Sequence, residues 1–129
     1  MRIEHVGFNV ADPVAMADWY CTHLGMSVVR QLGAPTYTTF LAAETGHVLL
    51  EIYHNPPDAV PDYAQMDPLL LHFAFECDDI EATRDRLLAA GASLAGDAMT
   101  TPAGDELQMM RDPWGLSIQL AKRAEAMLH

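Results

Sequence analysis

From Ile3 to Val10 the side chains alternate: Val6, Phe8 and Val10 point one way, and Ile3, His5, Gly7 and Asn9 the other. A period of two marks a half-buried strand, and the first set suits a face covered by a helix. Asp12 comes next as a helix N-cap, with Pro13 at the first helical position. Val14, Ala17, Trp19, Tyr20 and Leu24 then form an apolar stripe, and Gly25 ends the helix. The same logic returns later, with Phe73, Phe75 and Cys77 on a covered face, Asp78 or Asp79 as cap, Ile80, Thr83, Leu87 and Leu88 as stripe, and Gly91 as stop. Thr36 to Ala42 and Val48 to Tyr53 read as paired strands around a turn at Glu44-Thr45-Gly46. Glu106 to Arg111 and Leu116 to Ala121 form the equivalent pair around Asp112-Pro113-Trp114-Gly115. Between the two halves, His54 to Pro68 holds four of the eight prolines and is expected to be irregular, a linker or a flap.

The halves are copies of one pattern. His5-Val6-Gly7-Phe8-Asn9-Val10-Ala11-Asp12 overlies His72-Phe73-Ala74-Phe75-Glu76-Cys77-Asp78-Asp79 at a shift of 67 (72 − 5), and Leu24-Gly25-Met26-Ser27 overlies Ala90-Gly91-Ala92-Ser93 at 66 (91 − 25). Each half ends in an apolar strand with one polar residue, Glu51 in the first and Gln119 in the second, at a shift of 68 (119 − 51). A duplicated unit would bring His5, Glu51, His72 and Gln119 together about a pseudo-twofold axis. Strand parity allows it, because the histidines lie opposite the helix-packing residues, Glu51 shares a face with Leu49 and Tyr53, and Gln119 shares one with Ser117 and Ala121.

Composition narrows the class. A chain of 129 residues, 50% hydrophobic, can build one domain with a core, and half that length is too short to stand as two stable domains. The expectation is a single domain, 1–129, with module one at about 1–54, a linker at about 55–68 and module two at about 69–123. A net charge of −11 with seven Lys and Arg does not suit a nucleic-acid or anionic-membrane partner. No apolar run approaches the roughly 20 residues of a membrane span, and no signal-peptide pattern precedes the first strand. Cys21 and Cys77 have neither the number nor the spacing of a disulfide framework, so reduced thiols in a cytoplasmic protein are expected.

Three pieces carry a resemblance: the opening Ile3-Glu4-His5-Val6-Gly7-Phe8, the helix-ending Leu24-Gly25, and Arg111-Asp112-Pro113-Trp114-Gly115 leading into Leu116-Ser117-Ile118-Gln119-Leu120. Over essentially its whole length the chain resembles the vicinal oxygen chelate superfamily, which includes glyoxalase I, methylmalonyl-CoA epimerase, extradiol dioxygenases, fosfomycin-modifying enzymes and bleomycin-binding resistance proteins. The resemblance implies an α+β fold of two tandem βαβββ modules, an eight-stranded mixed sheet curled into a cup around a divalent metal, usually in a homodimer. It places His5, Glu51, His72 and Gln119 on the family's first to fourth ligand positions. Most metal-dependent members have glutamate at the fourth. An amide there disfavours dioxygenase and fosfomycin chemistry, whose carboxylate comes from that position, and fits glyoxalase-like and epimerase-like members better. The site can lie within one chain or across a dimer interface, since both occur in the family.

Two imidazoles, one carboxylate and one amide oxygen suit Zn, Ni, Co, Mn or Fe(II). With only one anionic ligand such an ion keeps a formal charge of about +1 and is the stronger Lewis acid toward an enediolate. Glu51 is then the one ligand able to act as a base. The expected activity is that of a metal-dependent, glyoxalase-like lyase or isomerase that abstracts a proton next to a carbonyl of a small molecule. Its rivals are a non-catalytic small-molecule-binding protein of the antibiotic-resistance type and an Fe(II) dioxygenase using His5, His72 and Glu51. Gln119 reads equally as an ordinary hydrogen-bonded strand residue. Tyr53 either lines the pocket or packs in the core, while Met109 and Arg111 share a strand face as candidate substrate-binding residues. Arg111 could instead pair with a surface carboxylate. His23, His47, His54 and His129 read as surface residues. No cluster of basic residues identifies glutathione or coenzyme A.

Overall fold

The computed structural model of the chain describes residues 1–47 and 49–128. Val48, expected to open a strand, and His129, expected on the surface, lie outside the described residues. Two compact units emerge, Met1–Pro61 and Asp62–His129, divided inside the proline-rich stretch.

The first unit contains β1 (His5–Asn9), α1 (Pro13–Leu24), β2 (Ser27–Gln31), β3 (Thr39–Ala42) and β4 (Leu49–Tyr53). Its sheet runs β1-β4-β3-β2, with β1 parallel to β4 and the other pairs antiparallel. The helix begins and ends as the sequence requires. Asp12 accepts from the Ala15 amide at 3.1 Å, Pro13 opens the first turn, and Gly25 closes the last with φ 68°. The covered face of the sheet gathers Phe8, Val10, Leu41, Leu50 and Ile52 under Met16, Ala17, Trp19 and Tyr20, all buried. Each large side chain there contributes roughly 1.5–3 kcal/mol by leaving water. Val6, expected with them, is 44% exposed. β1 is an edge strand, and its cover reaches Phe8 and Val10 but not Val6, which lies nearer the start of the strand.

The second unit repeats the order with β5 (Phe73–Glu76), α2 (Ile80–Ala89), β6 (Ser93–Leu94), β7 (Met99–Thr100), β8 (Glu106–Arg111) and β9 (Ser117–Lys122). The sheet runs β5-β9-β8-β6, with β7 also paired to β8. The strand that is continuous in the first unit thus appears here as two short pieces, and Gly96 at φ 106° lies in the break. Asp79, not Asp78, caps α2 by accepting from the Ala82 amide at 2.9 Å. Ile80 and Leu87 meet Met110, Leu116, Ile118 and Leu120 in the core, while Leu88 is 37% exposed. The fold class is therefore α+β, with two helices and two mixed sheets. The proline-rich stretch, expected to lack regular structure, carries one 3-10 turn at Tyr63–Gln65, and the Tyr63 side chain is buried. No helix among the described residues is long and apolar enough to cross a membrane.

That turn is clamped to the loop between β8 and β9 by close approach. Gly115 adopts φ +89°, and a Cβ built on it would stand 2.6 Å from Ala64 Cβ and 2.8 Å from the Ala64 amide nitrogen. Both backbone strain and a clash with main chain oppose a side chain here. Gly115→Ala is expected to destabilise the protein by about 2–4 kcal/mol in urea denaturation. An unchanged unfolding midpoint would show that the approach is not a constraint.

Candidate functional site

The repeat seen in the sequence returns as a repeat in strand register. In the first unit Gly7 lies opposite Glu51 across the parallel β1–β4 pair, and in the second Ala74 lies opposite Gln119 across β5–β9. The next strand continues each row, with Phe40 opposite Glu51 and Met109 opposite Gln119. These residues occupy the helix-free face of their sheet.

On the first unit's face, His5 Nε2 lies 2.9 Å from Glu51 Oε2, and the Glu51 side chain is only 20% exposed. The other ring nitrogen, Nδ1, meets the Glu4 carboxylate. The imidazole between two carboxylates is held protonated above its ordinary pKa of 6.5, chiefly through the hydrogen bond it donates to the Glu4 carboxylate; partial burial opposes this, and the charges of Glu4 and Glu51 add to it. The ring of His5 stands edge-on to Phe40, with centroids 5.5 Å apart and planes at 88°. Tyr53 lies over Gly7, where an added Cβ would come within 3.3 Å of its ring. Asn9 ties the end of β4 to β1, donating to the Pro56 carbonyl at 2.7 Å and accepting from the Asn55 amide at 2.8 Å. His54, expected on the surface, is half-buried and donates from Nδ1 to the Val10 carbonyl at 2.9 Å.

The second unit holds His72 by a different partner. Its Nδ1 is 2.9 Å from the Pro68 carbonyl oxygen. A carbonyl can only accept, so Nδ1 carries the proton of this hydrogen bond and Nε2 is left for another partner. Gln119 and Met109 line a recess of about 300 Å³ together with Pro68, Leu69, Met99 and Leu107.

Arg111, expected to bind substrate or pair with a carboxylate, engages the protein's own carbonyls. Its guanidinium donates to Tyr63 O and Met66 O, each at 2.9 Å, to Gly115 O at 3.0 Å and to Ser117 Oγ at 3.2 Å. It thereby anchors the segment that leads to Pro68, and through Pro68 it supports the orientation of His72.

Among the described residues, no three His, Cys, Asp or Glu side chains are gathered closely enough to hold a metal ion. The first unit brings an imidazole and a carboxylate into contact, and the second carries an imidazole just before β5 and an amide on β9. The donor chemistry fits a divalent ion: both histidines have Nδ1 held by an oxygen, and Nε2 is the atom that would coordinate, in His5 by exchanging its present contact with Glu51. The sequence reading missed Glu4 and Pro68, the partners that orient the two rings. Glu4 was legible as the neighbour of His5, whereas Pro68 acts through a backbone carbonyl and leaves no side-chain signal.

Because the His5 pKa is raised, its stabilising contribution is complete below about pH 6.5 and is lost as pH rises through the folded value. In metal-free protein, NMR of the imidazole should give a His5 midpoint above 6.5 that falls in Glu4→Gln. An identical midpoint in the variant would remove Glu4 from the account.

Comparison with known proteins agrees with the fold. Residues 2–120 match the sequence model of the Glyoxalase/Bleomycin resistance protein/Dioxygenase superfamily. The chain is 28% identical to a probable lactoylglutathione lyase of Vibrio cholerae, over 97% of this chain and 93% of that protein. Among solved structures it is similar to a glyoxalase family protein from Bacillus cereus, with TM-score 0.80, 18% identity, and coverage of 95% of this chain and 93% of the other. It is also similar to TnmS3, an antibiotic binding protein from a Streptomyces species, with TM-score 0.72, 21% identity, and coverage of 96% and 97%. At these identities the structural likenesses establish the fold.

Proposed function

The chain belongs to the Glyoxalase/Bleomycin resistance protein/Dioxygenase superfamily, and from that premise we propose that it is a metal-dependent, glyoxalase-like lyase or isomerase. It abstracts a proton from the carbon next to a carbonyl of a small molecule. His5, Glu51, His72 and Gln119 hold one divalent ion of the Zn, Ni, Co, Mn or Fe type per chain. The observation that carries this reading is the common orientation of the two histidines. At equivalent positions of the repeat, each ring has Nδ1 fixed by an oxygen, Glu4 for His5 and Pro68 for His72. An oxygen on Nδ1 is the usual support of a metal-binding histidine.

When bound, the ion polarises the substrate carbonyl and stabilises the oxyanion left by proton loss. Glu51 takes the proton. Its carboxylate is partly shielded from water and paired with His5, so it is positioned by the same contact that gathers the donors. Gln119 is an amide without useful basicity, which limits the chemistry to one base on one face. Tyr53 and Met109 wall the two half-sites. The name of the Vibrio cholerae relative makes lactoylglutathione formation the first activity to assay. A homodimer is part of the proposal, tested by the mass of the protein in solution.

A second reading has its own support. The recess beside Gln119 is bordered by Pro68, Leu69, Met99 and Met109, and Leu69 is 81% exposed. An apolar wall of this kind suits retention of a small molecule without chemistry, as the name of the Streptomyces antibiotic binding protein describes for that neighbour.

Protein purified without a histidine tag or chelator should carry about one divalent ion per chain, and His5→Ala/His72→Ala should carry none. No metal in wild type, and none taken up on titration, sinks the catalytic reading in favour of the binding one. Fe(II) with oxygen consumption would instead select an oxygenase. In metal-loaded protein, Glu51→Gln is expected to slow turnover by roughly 10²–10⁴-fold. Retained turnover in that variant would exclude Glu51 as the base.

A further inference from the structure

Strand β2 carries a one-residue irregularity that reverses parity, which its counterpart in the second unit does not do. Val28 lies opposite Leu41 and Arg30 lies opposite Phe40, so Val29 is an extra residue, a β-bulge. A bulge of this kind reverses the parity of the residues after it and re-aims a side chain, and bulges are frequent beside functional sites. Without it, Val29 would face the same way as Phe40. With it, Arg30 does. Arg30, Phe40 and Glu51 become successive members of one cross-strand row, and two strand spacings separate the Arg30 and Glu51 backbones by about 10 Å. In the second unit the equivalent strand is interrupted by two extra residues instead of one, since Leu94 lies opposite Met110 in β6 and Met99 opposite Leu107 in β7, and an even insertion leaves the parity unchanged.

The guanidinium is held without being neutralised. Arg30 Cζ stands 5.9 Å from the Phe40 ring centroid, a cation–π contact that positions the group and leaves its N–H donors outward. Four other cations are engaged elsewhere: Arg84 with Asp85, Lys122 with Glu106, Arg123 with Asp105, and Arg111 with backbone carbonyls. Glu4, His5, Val29, Arg30 and Phe40 line a recess of about 290 Å³. That volume is at the lower end for small-molecule sites. The Glu4 carboxylate at its rim is occupied by His5 Nδ1, which leaves Arg30 as the group that recognises charge.

We infer that Arg30 is a specificity residue, and that the molecule this site takes is a small carboxylic acid. Its carboxylate lies on Arg30, its apolar part lies against Phe40 and Val29, and its carbonyl-bearing carbon reaches toward Glu51. This inference rests on the reading of Glu51 as the base at the same site. A guanidinium fits a carboxylate with two parallel hydrogen bonds, which a neutral ketone cannot offer.

The test is binding of phenylpyruvate, compared with its neutral analogue phenylacetone, followed by NMR shift perturbation on both metal-free and metal-loaded protein. The acid is expected to bind and to perturb Phe40 and Arg30, and the ketone to bind at least tenfold more weakly. Arg30→Gln should weaken the acid by about 10- to 100-fold while leaving metal content and the circular dichroism spectrum unchanged. Arg30→Lys, which keeps the charge without the planar fork, should fall between them. Equal binding of acid and ketone, or an Arg30→Gln variant that binds the acid as wild type does, overturns the inference. Metal content is measured separately. Arg30-dependent binding in a protein that takes up no metal would support this inference while the catalytic reading alone fails.

Discussion

In each unit the first strand lies parallel to the last, and a parallel pair cannot be closed by a tight turn. The chain must leave one end of the first strand, cross over through a helix and return by way of antiparallel strands. The helix covers one face of the sheet with Leu41, Leu50 and Ile52 in the first unit and with Ile118 and Leu120 in the second. The opposite face is left free of helix. The register of the parallel pair, Gly7 to Glu51 and Ala74 to Gln119, then decides which polar side chains appear on that face and at what spacing. A slip of one residue would turn Glu51 and Gln119 into the core and expose Ile52 and Leu120, so the burial of apolar residues protects the position of the polar ones.

Within that shared frame the two halves have diverged in chemistry. The first surrounds its histidine with carboxylates and rings, namely Glu4, Glu51, Phe40 and Tyr53, with Arg30 over Phe40. The second places Gln119, Met109 and Ala121 at the corresponding positions and orients its histidine from the backbone. Where Tyr53 covers Gly7, the second unit has Ala121 and Ala74, which are too small to cover anything. The duplication thus supplies two similar scaffolds, of which one sets charges around its histidine and the other offers a neutral amide and mainly apolar walls, with Asp67 and Asp97 at the same recess.

The state of each histidine is set by its neighbour. A carbonyl on Nδ1 of His72 fixes a proton on that nitrogen and so orients the ring. Carboxylates on both nitrogens of His5 favour the imidazolium, so a metal at that nitrogen must displace a proton and its binding is linked to pH. Arg111 contributes at one remove, since its bonds to Tyr63 O and Met66 O hold the turn that leads to the Pro68 carbonyl.

The caps, the helix positions, the repeat and the face shared by His5 and Glu51 are all local or periodic properties, and the sequence by itself determined them. Asp12, Pro13 and Gly25 act within one turn, and a period of two places Glu51 opposite the core without reference to any partner. Four features were decided by tertiary structure. Val6 is exposed while Phe8 and Val10 on the same face are buried, so the cover stops short of the start of the edge strand β1, and strand order is not written in alternation. Arg111 turned to carbonyls 45 and 48 residues earlier in the chain, a pairing that side-chain identity cannot reveal. Pro68 orients His72 through a main-chain oxygen that every residue possesses. Arg30 shares the face of Glu51 only because a bulge adds one residue between Val28 and Arg30. Parity counted along the chain assumes an unbroken ladder, and only the partner strand shows where the ladder breaks.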